Sequence, residues 1–178
     1  DEIQGGIGRT GKIFAYKHYG VSPDIITSAK GLGSGIPIGA TIVKKEISKN
    51  INIGFHGSTF GGGMLQTRVA YNVLKTINKT SFLNNVKSKG ILLEQLLNKL
   101  HSEHDVIKEI RIKGLMAGIE FKNSELALKI YKETSNHGLV TTLVKGTTIR
   151  ITPPLIIKSE EIKKGVRIIS DCLNSIKI

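Results

Sequence analysis

Residues 1–40 read DEIQGGIGRTGKIFAYKHYGVSPDIITSAKGLGSGIPIGA, and two short pieces of this stretch govern how the rest of the chain is read: Asp1-Glu2-Ile3-Gln4 and Ser28-Ala29-Lys30-Gly31. The first supplies a carboxylate, and the second a primary amine flanked by small residues. Glycines cluster around and beyond them, in Gly5 to Gly11, Gly31 to Gly39 and Gly54 to Gly63, between short apolar runs such as Ile25-Ile26 and Ile36 to Val43. Glycine at that density belongs to loops where one backbone approaches another closely or turns through positive φ. A lysine in such a loop serves as nucleophile and base only where burial or a cationic neighbour lowers its pKa.

The 178 residues, 39% hydrophobic and 22% charged, are globular in composition and long enough to bury a core, either one domain or one domain and part of another. No run approaches the long uncharged apolar stretch of a membrane span, so no membrane partner is expected. The single cysteine, Cys172, excludes an internal disulfide and fits a reducing compartment, which makes the cytoplasm the expected location. The chain starts without Met or a signal segment, so the N-terminus is expected not to be native. A net charge of +12 raises the question of a polyanion, but the 26 Lys and Arg residues are scattered and aromatic residues make up only 5%. Without a groove-reading or base-stacking motif, no nucleic-acid partner is expected.

The texture changes near residue 75. Leu83, Val86, Gly90, Leu93, Leu97 and Leu100 recur in steps of three and four, which predicts one long amphipathic helix with Ser81 as its N-cap. Ile107 to Phe121 predicts two strands broken at Gly114. Ser124 to Asn136 predicts a helix ending before Gly138, and Leu139 to Ile151 a strand pair turning at Lys145-Gly146. A last helix follows Pro153-Pro154, capped by Ser159, with Glu160 and Glu161 at its positive end and a buried stripe of Ile162, Val166, Ile169, Leu173 and Ile176.

Several motifs fall away on inspection. Gly6-Ile7-Gly8-Arg9-Thr10-Gly11 matches G-x-G-x-x-G, with Asp24 downstream where a ribose-binding acid would be sought. A dinucleotide site needs a strand before that motif and a helix after it; five residues precede it, and Lys12 to Gly20 has no helical period. Gly31 to Gly39 lacks the G-K-[ST] ending of a P-loop. His56 has no second His, Cys or acid at ligand spacing, so it is given a structural role and no metal is expected.

A carboxylate that keeps a pyridine nitrogen protonated and an amine that forms a Schiff base are what pyridoxal phosphate chemistry requires, and Asp1 and Lys30 supply both groups. The whole stretch from Asp1 to Ala40 resembles the class III pyridoxal-phosphate-dependent aminotransferases, nearest in wording to the acetylornithine and ornithine aminotransferases. Three further segments resemble the family in the same order: His56-Gly57-Ser58-Thr59-Phe60-Gly61-Gly62, Lys113 to Glu120, and Ile149-Arg150-Ile151-Thr152-Pro153-Pro154-Leu155. After Gly62 the chain departs from the family's usual Asn-Pro with Gly63-Met64-Leu65, so its turn into the next helix is expected to differ. The resemblance covers the whole chain and about the C-terminal half of a family member.

That resemblance implies an α/β fold: residues 1–75 as the C-terminal part of the cofactor-binding large domain of a fold type I pyridoxal-phosphate-dependent transferase, and residues 76–178 as its small C-terminal α/β domain. It implies pyridoxal 5'-phosphate as cofactor, with Lys30 the catalytic lysine, Asp1 on the ring nitrogen and Gln4 on the phenolic oxygen. Thr59 would meet the phosphate, from a loop that the family donates across a homodimer interface. Ser58 would reach the substrate, and the guanidinium fork of Arg150 would grip the substrate α-carboxylate, a task for which Lys is no substitute. The implied reaction moves the δ-amino group of N-acetylornithine or ornithine to 2-oxoglutarate, a step of arginine biosynthesis. This fragment alone is expected to be inactive. The alternatives are another class III enzyme acting on succinylornithine or 4-aminobutyrate, and a non-catalytic remnant or interaction module.

Overall fold

Helical period and glycine placement account for most of the elements. The computed structural model describes residues 1–176. In chain order the elements are β1 (Ile25–Ser28), β2 (Ala40–Val43), α1 (Lys45–Ser48), α2 (Met64–Ile77), α3 (Thr80–Glu103), β3 (Ile107–Lys113), β4 (Met116–Phe121), α4 (Ser124–Asn136), β5 (Thr142–Val144), β6 (Thr148–Ile151) and α5 (Ser159–Ser175). Short 3-10 turns occupy Ala15–His18 and Lys30–Leu32. The chain forms two compact units, Asp1–Asn84 and a second that begins at Asn85.

In the first unit β1 and β2 pair antiparallel, with Ser28 opposite Ala40 and Ile25 opposite Val43. Lys44 closes the open end of the pair through a 2.8 Å ion pair with Asp24. The residues before β1 form neither strand nor α-helix; Ile3 to Thr10 run through consecutive turns. Gln4 therefore lies in a turn and not on a strand. Gly6 explains why: its N–H donates to Glu2 O at 3.0 Å, and a Cβ at Gly6 would lie 2.5 Å from the same oxygen. The tight turn that glycine permits displaces the strand. The glycine-rich half also ends earlier than its texture implied, because α2 already begins at Met64 and buries Ala70 and Ile77.

In the second unit one antiparallel sheet in the order β3-β4-β6-β5 carries the core. Leu115, Ala117, Ile119, Phe121 and Ile149 are buried on one face, together with Val86, Leu93, Leu97 and Leu100 of α3. The i, i+3/i+4 spacing of those α3 residues is the one read in the sequence, and each such side chain contributes about 1.5–3 kcal/mol on burial. Gly90 belongs to the same stripe for a different reason: a Cβ there would sit 2.6 Å from Gly114 Cα, so helix and β3–β4 turn meet backbone to backbone. Gly114 itself adopts φ +58 in that turn.

Two caps differ from expectation. Ser81 lies inside α3, whose Leu83 N–H reaches back to Lys79 O at 3.1 Å, so the helix starts before the serine can cap it. Ser159 is the first residue of α5, and Lys158 is the N-cap, its backbone N–H bound at 2.7 Å by the Glu161 carboxylate three residues on. Asn123 caps α4 by accepting from Glu125 N and Leu126 N. That helix ends in a Schellman pattern at Gly138, φ +78, with Leu139 N–H donating to Thr134 O and Gly138 N–H to Ser135 O.

Candidate active site

Asp1, Gln4 and Lys30 lie around the start of the chain and the end of β1. Glu2 N–H donates to Thr27 O at 2.8 Å, which lays Asp1–Gln4 beside the strand that leads into Lys30. Glu2 is the residue that makes this possible, and the sequence reading passed over it. Its side chain is 4% exposed, and its carboxylate accepts from Ala15 N and Tyr16 N, both at 2.8 Å. A buried carboxylate holding two backbone amides replaces the secondary structure that this segment lacks. The signal was present in the paired Gly5-Gly6, which allow the chain to fold over the Glu2 side chain: a Cβ at Gly6 would stand 3.2 Å from Glu2 Oε2.

Asp1 and Gln4 remain exposed beside this anchor, and one Asp1 oxygen accepts from Ile3 N at 2.8 Å. Lys30 is exposed on its turn and adopts φ +47, a left-handed conformation that side-chain-bearing residues avoid. Strain of that kind costs about 1–3 kcal/mol and persists only where the surroundings impose it. Here they do. Leu32 N–H bonds Ala29 O and Gly33 N–H bonds Lys30 O, while a Cβ on Gly33 would be 1.9 Å from Ile36 O. α2 packs against this turn. Lys30 lines an open depression of about 540 Å³ with Gly35, Ile36, Pro37 and Ile38. Beneath it, two residues back, Ser28 is 3% exposed, and its Oγ has no hydrogen-bond partner among the described residues.

Ser58 and Thr59 stand on a separate exposed turn, closed by Gly61 N–H to Ser58 O at 3.1 Å. His56 is exposed as well, with its ring 5.9 Å from that of Phe55. Arg150 belongs to the second unit. It lies on β6 on the face opposite buried Ile149, with Gly118 and Thr142 as its cross-strand neighbours. With Thr142, Ile151 and Pro153 it lines a cavity of about 330 Å³. On the same sheet Glu120 is held below the usual carboxylate range by hydrogen bonds from Lys108 and Arg111. Burial pushes the Arg9 guanidinium down, and it pushes the Cys172 thiol up with help from Glu133 and Asp171, which disfavours the thiolate.

Residues 1–173 match the family described as Aminotransferase class-III. The chain belongs to the class III aminotransferases. Among curated relatives of this family, an acetylornithine aminotransferase of Caldanaerobacter subterraneus is 46% identical over 99% of the chain and 44% of that protein. A succinylornithine transaminase of Yersinia pseudotuberculosis is 41% identical over 93% of the chain and 41% of its own length. A solved ornithine delta-aminotransferase of Plasmodium falciparum superposes with a TM-score of 0.91 at 35% identity, over 98% of the chain and 45% of that structure. The chain thus spans less than half the length of each of these relatives.

Class III aminotransferases depend on pyridoxal phosphate, and a Toxoplasma gondii ornithine aminotransferase holds it at partial occupancy in its active site. The residues present here fit that group. The fit is one of chemistry: an amine on a strained turn, a carboxylate and a carboxamide in the segment that Glu2 ties to β1, and a buried Ser28 hydroxyl without a hydrogen-bond partner among the described residues. Among the described residues no helix is long and apolar enough to cross a membrane.

Proposed function

We propose that the protein of which this chain forms part transfers the δ-amino group of N-acetylornithine or ornithine to 2-oxoglutarate, within arginine biosynthesis, as a cytoplasmic homodimer. The observation that carries this reading is Lys30 in its left-handed turn, on the stretch that follows Thr27, to whose carbonyl the segment bearing the Asp1 carboxylate is tied through Glu2. When bound, pyridoxal phosphate supplies an electron sink for the carbanion formed at the amine-bearing carbon.

The chain's own residues do the rest. Lys30 would hold the cofactor through its amine and, once displaced by the substrate's amine, would take and return the proton at the substrate's reacting carbon. The Asp1 carboxylate would keep the ring nitrogen protonated, and Gln4 would donate to the phenolic oxygen. The Thr59 hydroxyl binds the phosphate from across the dimer interface, where Ser58 meets the substrate. Arg150 presents two parallel N–H donors to the planar α-carboxylate, which orients the amine at the far end of the substrate. In this proposal residues 1–75 are the end of the cofactor-binding domain and residues 76–178 the small domain.

Succinylornithine is the second reading of the donor, supported by the relative of that name at 41% identity. The test is to incubate the chain with pyridoxal phosphate, reduce with borohydride and map the modified lysines by peptide mass spectrometry. Preferential labelling of Lys30, abolished in Lys30→Ala, is the expected outcome. Labels spread evenly over the surface lysines would count against the site. Salt-dependent binding to nucleic acid would favour an interaction module instead.

A further inference from the structure

Ile7 is a conformational outlier that the transfer reaction does not explain. It adopts φ +51, and a β-branched side chain in the left-handed region is disfavoured more strongly than almost any other. Glycine would take that conformation freely, and the chain uses glycine at the next residue, Gly8, with φ +82. The backbone on either side imposes the strain. Gly6 is locked over Glu2 by its 3.0 Å hydrogen bond, and Gly8 N–H is bound to Ile13 O at 3.3 Å. An isoleucine held there against its own preference implies that its side chain has a task.

The side chain is 3% exposed, and what it touches is the turn that carries Lys30. A Cβ placed on Gly31 would lie 3.4 Å from Ile7 Cβ, 3.7 Å from Cγ2 and 4.0 Å from Cγ1, so the Ile7 side chain faces Gly31 and bounds the space that a side chain there would enter. The residue before Gly31 is Lys30, itself left-handed at φ +47, as is Ser34 at φ +46 four residues on.

We propose that Ile7 is a positioning residue for Lys30: its side chain wedges against Gly31, holds Lys30 in the left-handed conformation and so fixes the direction in which the amine leaves the turn. This rests on the reading of Lys30 as the cofactor-binding amine. The wedge stands on the same turn system that Glu2 anchors, so the carboxylate segment and the amine are set by one piece of backbone.

The test uses Ile7→Gly, which relieves the local strain and removes the wedge, and Ile7→Val, which keeps the branched contact; circular dichroism and melting temperature establish that each is folded. The three-bond HN–Hα coupling of Lys30, measured by NMR without cofactor, reads its φ directly. In Ile7→Gly it is expected to move from its left-handed value toward the right-handed one. Preferential borohydride trapping of pyridoxal phosphate at Lys30 is expected to fall by roughly tenfold or more, the scale on which small misplacements of a reacting group cost rate. Ile7→Val should retain both properties. If Ile7→Gly does not fold, Ile7→Ala carries the same two readouts. An unchanged Lys30 coupling in a folded variant overturns the proposal, as does a changed coupling with unchanged trapping. If the parent shows no preference for Lys30 while the coupling still moves, the wedge stands and the cofactor reading fails.

Discussion

Glu2 offers the sharpest test of how the first unit holds together. Glu2→Gln preserves shape and packing but replaces one carboxylate oxygen with an NH2. In the parent, both oxygens accept backbone N–H groups at 2.8 Å, from Ala15 and Tyr16, on a side chain that is 4% exposed. The variant keeps one acceptor. It loses one charge-assisted bond, worth about 1.5–3 kcal/mol, and leaves one buried amide facing another donor, at about 1–3 kcal/mol. The combined cost of roughly 3–5 kcal/mol is a large share of a domain's usual stability of about 5–15 kcal/mol. At about 4–8 °C per kcal/mol for a unit of this size, the melting temperature of the first unit should fall by about 10 °C or more. Native-state hydrogen exchange gives the local readout: the amides of Ala15 and Tyr16 should lose protection first. Because Glu2 also bonds Thr27 through its own N–H, preferential labelling of Lys30 should weaken in the same variant. A melting temperature within about 1 °C of the parent, with both amides still protected, would refute the assignment of Glu2 as the anchor.

Two further predictions concern the second unit. Gly90→Ala should lower the urea midpoint, although alanine normally stabilises a helix interior by roughly 0.5–1 kcal/mol, because the added methyl would meet Gly114 Cα at 2.6 Å; an unchanged or raised midpoint would show that the helix does not meet the turn there. Glu120, whose folded pKa is depressed by Lys108 and Arg111, contributes stability that is complete above the ordinary carboxyl range and is lost as pH falls through the lowered value. Denaturation of the parent and of Glu120→Gln should therefore differ at neutral pH and converge in acid, with added salt narrowing the gap; a difference independent of pH would rule out the ion pairs as its source.

How far the sequence could be read depended on which physical signal each residue carries. The α3 and α5 stripes were legible because burial at steps of three and four leaves a period: Val86, Leu93, Leu97, Ile162, Val166 and Ile169 are all buried as that spacing requires. The β3–β4 break at Gly114 and the α4 stop at Gly138 were legible because positive φ selects glycine. The caps were missed by one or two residues because serine advertises a cap wherever it stands near a helix start, whereas Lys158 is capped through its backbone by Glu161. The candidate site divides along the same line. Lys30 and Asp1 could be proposed from the chemistry their side chains offer, whereas Gln4, Ser58, Thr59 and Arg150 could be proposed only because the segments that carry them resemble the family. Glu2 could not, since a glutamate beside an aspartate reads as surface charge until its two amide partners, thirteen and fourteen residues away, are in place. Nor could Ile7 or the conformation of Lys30, because no residue type announces that it will be forced into a state it avoids. Identity is written residue by residue, but the placement of an amine is a property of the backbone around it, and in this chain that backbone is shaped by a buried carboxylate and a strained isoleucine.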